Sequence, residues 1–94
     1  MLKINYQVQF KKDYRTTIKR GQRPELLREV IGILAEEKTL PGRYRDHKLA
    51  DSKGYKDVRE CHIQPDWLLI YKIQEDQGIL LLIRTGSHSD LFKA

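Results

Sequence analysis

Three histidines, His47, His62 and His88, together with Asp66 and Arg84, are the residues of this chain best suited to chemistry. All three histidines lie in polar stretches and none falls in an apolar stripe, so they are placed to meet solvent or substrate. The ordinary pKa of histidine, about 6.5, suits it to moving protons at neutral pH. Two imidazoles, a carboxylate and an arginine are the equipment of a metal-independent ribonuclease. One group takes the proton from a ribose 2′-OH, another protonates the leaving 5′-oxygen, and a cation stabilises charge on phosphorus. Arg84 suits the last role, because its planar, permanently charged fork grips phosphate oxygens in pairs; alternatively it ties the site together through a salt bridge to Asp66. Asp66 can be the base, orient a histidine, or serve only the turn begun by Pro65. Phe92 falls four residues past His88, on the same face of a helical turn, where it can stack a nucleobase or anchor the tail. Zinc could use His47, His62, His88 and Asp66, but they lack a close pair such as H-x₃-H, and converging basic residues would repel a dication. Neither a glycine-rich phosphate loop nor a G-x-S-x-G motif is present, so nucleoside triphosphate and serine hydrolase chemistry find no support.

These residues need elements to bring them together. Pro65-Asp66 is a turn signal between a short polar strand, Val58 to Ile63, and an apolar one, Trp67 to Gln74. A second reversal at Glu75-Asp76-Gln77-Gly78 leads into Ile79 to Thr85. Three strands joined by two tight reversals make an antiparallel meander, whose geometry gathers His62, Asp66 and Arg84 on one rim with His88 just beyond. The apolar runs Trp67 to Tyr71 and Ile79 to Ile83 predict central strands covered on both faces, with Trp67 in the core. Upstream, Ile4, Tyr6, Val8 and Phe10 alternate with polar residues as in a half-buried strand. Phe10, Tyr14 and Ile18 then fall four apart, predicting an amphipathic helix with a basic outer face of Lys11, Lys12, Arg15 and Lys19, stopped at Gly21. Pro24 opens a second helix with the stripe Leu26, Leu27, Val30, Ile31 and Leu34, in which Gly32 suggests a close approach to another element. Periodicity vanishes from Glu36 to Tyr55, where Arg43, Arg45, His47 and Lys48 predict a basic loop around Tyr44. Ser87 is suited to cap a final helical turn. The order is β-α-α-β-β-β: an α+β fold with two N-terminal helices on a twisted, mainly antiparallel four-stranded sheet.

At 94 residues the chain predicts a single domain over residues 1–94 with one modest core. Its net charge of +5 favours a polyanionic partner, although solubility alone can explain such a balance. The lone Cys61 excludes an internal disulfide and reads as a buried, inert thiol in a reducing compartment. No signal-peptide pattern and no apolar run near the ~20 residues of a membrane helix is present, which predicts a cytoplasmic protein without a membrane partner.

Tyr44-Arg45-Asp46-His47-Lys48-Leu49, then Arg59-Glu60-Cys61-His62-Ile63-Gln64-Pro65-Asp66-Trp67, then Arg84-Thr85-Gly86-Ser87-His88-Ser89-Asp90-Leu91-Phe92 resemble the YafQ branch of the RelE toxin superfamily. The resemblance spans nearly the whole chain, and its specific motifs are R-x-C-H-I-x-P-D-W and R-T-G-S-H-S-x-L-F. It implies a bacterial type II toxin that enters the ribosomal A site and cleaves mRNA, held inactive by a cognate antitoxin and using no cofactor or metal. By position, His47, His62, Asp66, Arg84 and His88 match that branch's catalytic set. The resemblance gives acid–base work to His62, Asp66 and His88, phosphate contacts to Arg84 and His47, and base positioning to Phe92. Arg43, Arg45 and Lys48 would be RNA contacts. With the basic helix face they would meet ribosomal RNA, unless that face is merely solvated. The toxin alone is expected to be monomeric. Two other readings are a non-catalytic module of the same fold that binds RNA or an antitoxin, and a gyrase poison from another branch of the superfamily.

Overall fold

A computed structural model describes residues 1–49 and 57–92. The chain runs β1 (Lys3–Tyr6), α1 (Val8–Lys19), α2 (Pro24–Ala35), a 3-10 turn (Gly42–Tyr44), β2 (His47–Lys48), β3 (Arg59–Gln64), β4 (Trp67–Gln74), β5 (Ile79–Gly86) and α3 (His88–Phe92). The sheet order is β1-β5-β4-β3-β2. Among the described residues only the β1–β5 pairing is parallel; β3, β4 and β5 form the expected antiparallel meander. The fold is α+β, with five strands in a mixed sheet where four were expected. The additional strand is β2, two residues long, which pairs His47 with Glu60 and Lys48 with Arg59. So short a strand carries no period by which a sequence could reveal it.

The N-terminal alternation continues past the end of the strand. β1 ends at Tyr6 and α1 begins at Val8, whose side chain is exposed instead of facing the core. Phe10 is then buried on the helix. Gly32 also departs from expectation: a Cβ there would meet nothing within 4 Å, so no close approach explains it. The stretch Asp51 to Lys56, at the end of the expected basic loop, lies outside the described residues.

The sheet has an apolar layer on each face. Helices α1 and α2 cover one with Phe10, Leu27, Val30, Ile31 and Leu34, against Cys61, Ile63, Trp67, Leu69, Tyr71, Leu80 and Leu82. On the other, Val58, Leu68, Ile70 and Leu91 form a smaller cluster against which Leu49, Ile83 and Phe92 pack. Trp67 to Tyr71 are all buried, as a central strand requires, and each such large side chain contributes about 1.5–3 kcal/mol by leaving water. Trp67 is core: its Nε1–H donates to Thr85 Oγ1 at 2.9 Å, and the Thr85 hydroxyl donates to the Leu68 carbonyl at 2.7 Å. Cys61 is fully buried and burial pushes its thiol up to about 12, so it is inert at neutral pH.

Two irregularities of register flank the rim. Ile63 is an extra residue between the pairs His62–Leu68 and Gln64–Trp67, and Ile83 is an extra residue between Ile70–Arg84 and Tyr71–Leu82. Bulges bend the strand and re-aim the side chains beside them. Here those side chains are His62 and Arg84.

Candidate active site

The β3–β4 turn places Asp66 beside the start of α3. One carboxylate oxygen of Asp66 accepts the backbone N–H of His88 at 2.9 Å and lies 2.7 Å from His88 Nδ1. The backbone N–H first, then the ring, hold the Asp66 carboxyl below its ordinary range. An ionised carboxylate only accepts, so Nδ1 carries a proton and Nε2 of a neutral His88 keeps its lone pair. The His62 ring lies 5.6 Å from the His88 ring, centroid to centroid. Its Nδ1 faces the Pro65 carbonyl at 3.4 Å, so the turn that carries Asp66 also orients His62.

His47 reaches the same face through Glu60. Glu60 lies two residues before His62 on β3, and on a strand that spacing puts both side chains on one face. Glu60 Oε1 is 3.2 Å from His47 Nε2 and 3.4 Å from His62 Nε2, and its side chain is only 7% exposed. His47, Glu60 and His62 each offer one ligand atom, all within 4.8 Å of one another. Imidazole nitrogens and a carboxylate oxygen are donor types that a transition-metal ion can take. The set differs from the zinc alternative read from the sequence, since Glu60 joins the group while Asp66 and His88 pair with each other.

Helix α3 is held by its own first turn. Ser87 N–H donates to Asp90 Oδ2 at 2.9 Å and Asp90 N–H donates to Ser87 Oγ at 3.1 Å, a reciprocal box that satisfies two donors at the helix start. Arg20, just after α1, donates to the same Asp90 oxygen at 2.6 Å. Arg20 first and the Ser87 amide second bring the Asp90 carboxyl down to about 2. Gly86 precedes the box with φ +155°, and a Cβ there would lie 2.9 Å from Asp90 Oδ2. Only glycine fits that approach.

Arg84 has a partner that sequence reasoning did not foresee. β1 pairs with β5 only as far as Tyr6 opposite Leu82, and beyond that point α1 lies against β5. Asp13 of α1 takes Arg84 Nε at 2.6 Å and Nη2 at 3.2 Å, and also accepts the Thr85 amide at 3.2 Å. Asp13 lies among the charged residues of α1, yet its side chain is mostly buried. Phe92 is half-buried against the smaller core cluster. Tyr44 is buried with the Arg43 guanidinium 4.7 Å above its ring, while Arg45 and Lys48 are exposed. A cleft of about 390 Å³ runs from Arg43, Tyr44 and Arg45 to His62 and Pro65. A second, of about 440 Å³, is lined by Arg20, Pro65, Asp66, Ser87 and Asp90. Asp46 braces this basic corner by accepting from Arg59 at 3.2 Å and from the Tyr71 hydroxyl. Asp46 first raises the Arg59 pKa further; burial first, and Asp46 next, raise that of Tyr71.

The family model for YafQ, a bacterial toxin of type II toxin–antitoxin systems, matches residues 2–93. The chain belongs to the YafQ toxin family. The mRNA interferase toxin YafQ of Escherichia coli BL21-DE3 is 40% identical over 91 residues, covering 95% of this chain and 94% of the relative. A putative toxin YafQ of Haemophilus influenzae is 38% identical over 96 residues, covering 94% and 89%. Among solved structures, a metal-bound toxin from Helicobacter pylori superposes with a TM-score of 0.89 at 46% identity, covering 98% of this chain and all of that one. The toxin in the E. coli DinJ–YafQ complex superposes with a TM-score of 0.87 at 36% identity, covering 98% and 99%. Among the described residues no helix is long and apolar enough to cross a membrane.

Proposed function

We propose that this type II toxin is an endoribonuclease that cleaves mRNA in the ribosomal A site by metal-independent acid–base catalysis, and that a cognate antitoxin neutralises it. The observation that carries the reading is the Asp66–His88 hydrogen bond with the His62 ring 5.6 Å away. In an in-line displacement the 2′-oxygen enters and the 5′-oxygen leaves on opposite sides of phosphorus. Two neighbouring imidazoles, their planes tilted 58° to one another, can each serve one of these oxygens. One accepts the 2′-OH proton as the 2′-oxygen–phosphorus bond forms; the other gives a proton to the 5′-oxygen as its bond breaks. The products are a 2′,3′-cyclic phosphate and a 5′-OH.

His88 suits either role, since Asp66 holds Nδ1–H and turns Nε2 outward. A carboxylate in this position also stabilises the imidazolium that forms during proton transfer. His47 is set to contact the scissile phosphate or its neighbour. Asp13 holds Arg84 through Nε and Nη2 and so fixes the guanidinium plane, and Arg84 is the cation that would meet the phosphate. Phe92 lies one helical turn past His88, where it can steady a base. Arg43, Arg45 and Lys48 line the approach of the RNA backbone, and the exposed Lys11, Lys12, Arg15 and Lys19 of α1 suit ribosomal RNA. The identity to named mRNA interferases and the likeness to the toxin in an antitoxin complex support this reading. The toxin acts as a single domain over residues 1–94, as a monomer when free of antitoxin, in the cytoplasm where ribosomes translate.

A translation reaction in vitro on a defined mRNA, with 5′ ends mapped by primer extension, tests the proposal. Wild-type protein should cut within codons only when ribosomes are present. His88→Ala should cut about 10²–10⁴-fold more slowly, the usual contribution of a general acid or base, with an unchanged circular dichroism spectrum, since the ring is half exposed. Ribosome-dependent cutting that persists in His88→Ala would remove His88 from the chemistry. Well-folded wild-type protein that cuts nothing would leave a binding module.

A further inference from the structure

We propose that Asp46 is a positioning residue for the cleavage reaction: it pins β2 to the sheet and thereby sets where the His47 imidazole stands. His47 owes its place to β2, a strand two residues long that pairs only His47 with Glu60 and Lys48 with Arg59. A slip of one residue sends every side chain of a strand to the other face, and so short a ladder does little to resist one. Asp46 supplies the missing hold. Its carboxylate accepts Arg59 Nε–H at 3.4 Å on one oxygen and Arg59 Nη2–H at 3.2 Å on the other, a two-point grip that fixes direction as well as distance. The Tyr71 hydroxyl donates to the same carboxylate. Arg59 of β3 and Tyr71 of β4 lie directly opposite each other in register, and Tyr71 is buried in the core beneath the helices. One side chain thus ties the lead-in of β2 to the next two strands.

The two faces of the sheet separate this role from substrate binding. Along a strand successive side chains point to opposite faces. Asp46 turns to the side of Arg59 and Tyr71, so His47 turns to the other, where its Nε2 is 3.2 Å from Glu60 Oε1. The left-handed backbone of Arg45, φ 48° and ψ 46°, delivers the chain into that orientation. Asp46 borders a cleft with Leu34, Leu40, Arg59 and Tyr71, and none of them lines the clefts beside His62 and Asp66. A carboxylate so placed neither meets RNA nor moves its protons; it acts through the backbone of its neighbour. Loss of Asp46 leaves the His47 imidazole chemically intact and misplaced. The effect on cleavage rests on the nuclease reading, which gives His47 the phosphate contact; the effect on the His47 ring does not.

Two readouts on the intact toxin test the assignment. The chain has only three histidines, so nitrogen NMR reads each imidazole, and His47→Gln identifies the His47 signals. Asp46→Ala should move the His47 ring resonances and leave those of His88 in place, because Asp66 holds His88 independently. In the translation reaction at saturating toxin, Asp46→Ala should slow cutting by up to about 10²-fold, the scale of a reacting group misplaced by about 1 Å. His47→Gln should slow it at least as much, and the double variant no further, since without His47 nothing is left for Asp46 to position. Asp46→Asn keeps an oxygen that accepts from Tyr71 and should fall between wild type and Asp46→Ala; if the alanine variant does not fold, the asparagine variant carries the same tests. Losses that multiply in the double variant would show that Asp46 supports the fold and not His47, and would overturn the proposal, as would unmoved His47 resonances. A His47→Gln toxin that cuts like wild type would remove His47 from the nuclease reading, and the effect on cleavage with it. If the wild-type toxin cuts nothing, the nuclease reading falls and the His47 resonances alone decide the positioning.

Discussion

In the Asp66–His88 pair a single carboxylate oxygen receives both the backbone N–H and the ring of one residue. The ring cannot turn without giving up a charge-assisted bond, so its tautomer and aim are fixed before any RNA arrives. Two residues further on, Asp90 fixes the same helix, and its chemistry gives a pH dependence. Its carboxyl lies at about 2 in the folded chain against an ordinary 3.8, through Arg20 first and the Ser87 amide second. A depressed carboxyl stabilises the fold above its unfolded value, and that contribution disappears as pH falls through the folded one. Urea midpoints should therefore show Asp90→Asn less stable than wild type at pH 6, by about 1 kcal/mol or less for so accessible a pair. The gap should close between about pH 4 and pH 2; a constant gap across that range would show that the charge of Asp90 is not what holds α3. His62, Asp66 and His88 were legible because a turn residue, Pro65, announces where the chain brings them together. Glu60 and Asp13 were not, since a lone acid among basic residues reads as solvated. Nothing local tells that Asp13 meets an arginine 71 residues away. For Glu60 a signal was present in its two-residue spacing from His62.

Two glycines separate what an element requires from what it tolerates. Gly32 sits exposed inside α2 with open space around its missing Cβ, so Gly32→Ala should stabilise the protein by about 0.5–1 kcal/mol, through helix propensity and a less free unfolded chain. Gly86 carries φ +155° and the carboxylate of Asp90 stands where its Cβ would be. Gly86→Ala should lower stability by about 1–3 kcal/mol and slow cleavage with it, because the displaced Asp90 box positions His88. Thermal unfolding of the two variants side by side should move in opposite directions, and a stabilised Gly86→Ala would refute the packing argument. The meander and both long helices could be read from sequence because each is long enough to show its period. β1 was overrun because its alternation passes into a helix whose first turn happens to continue it. β2 was invisible at two residues, yet it is the element that brings His47 to Glu60.

At the scale of the molecule, the surplus of positive charge is unevenly spent. Arg20, Arg23, Lys38, Arg59 and Arg84 are each met by a carboxylate. Among the described residues Arg43, Arg45 and Lys48 enter no such pair, and the two arginines line the cleft that leads to His62. Charge left unneutralised at the mouth of a site acts on a polyanion by releasing its counterions, which makes binding fall linearly with the logarithm of salt. Arg45 is the cleanest probe, because it is exposed and its left-handed backbone, φ 48°, is one that asparagine also adopts. Arg45→Asn should weaken ribosome-bound mRNA cleavage at subsaturating toxin and reduce the salt slope by about 1. At saturating toxin the cutting rate should stay near that of wild type, since the residue touches none of the proton-transfer groups. Cleavage titrations at several potassium chloride concentrations separate the two quantities. An unchanged slope with a slower saturated rate would move Arg45 from steering the RNA to shaping the site around His62.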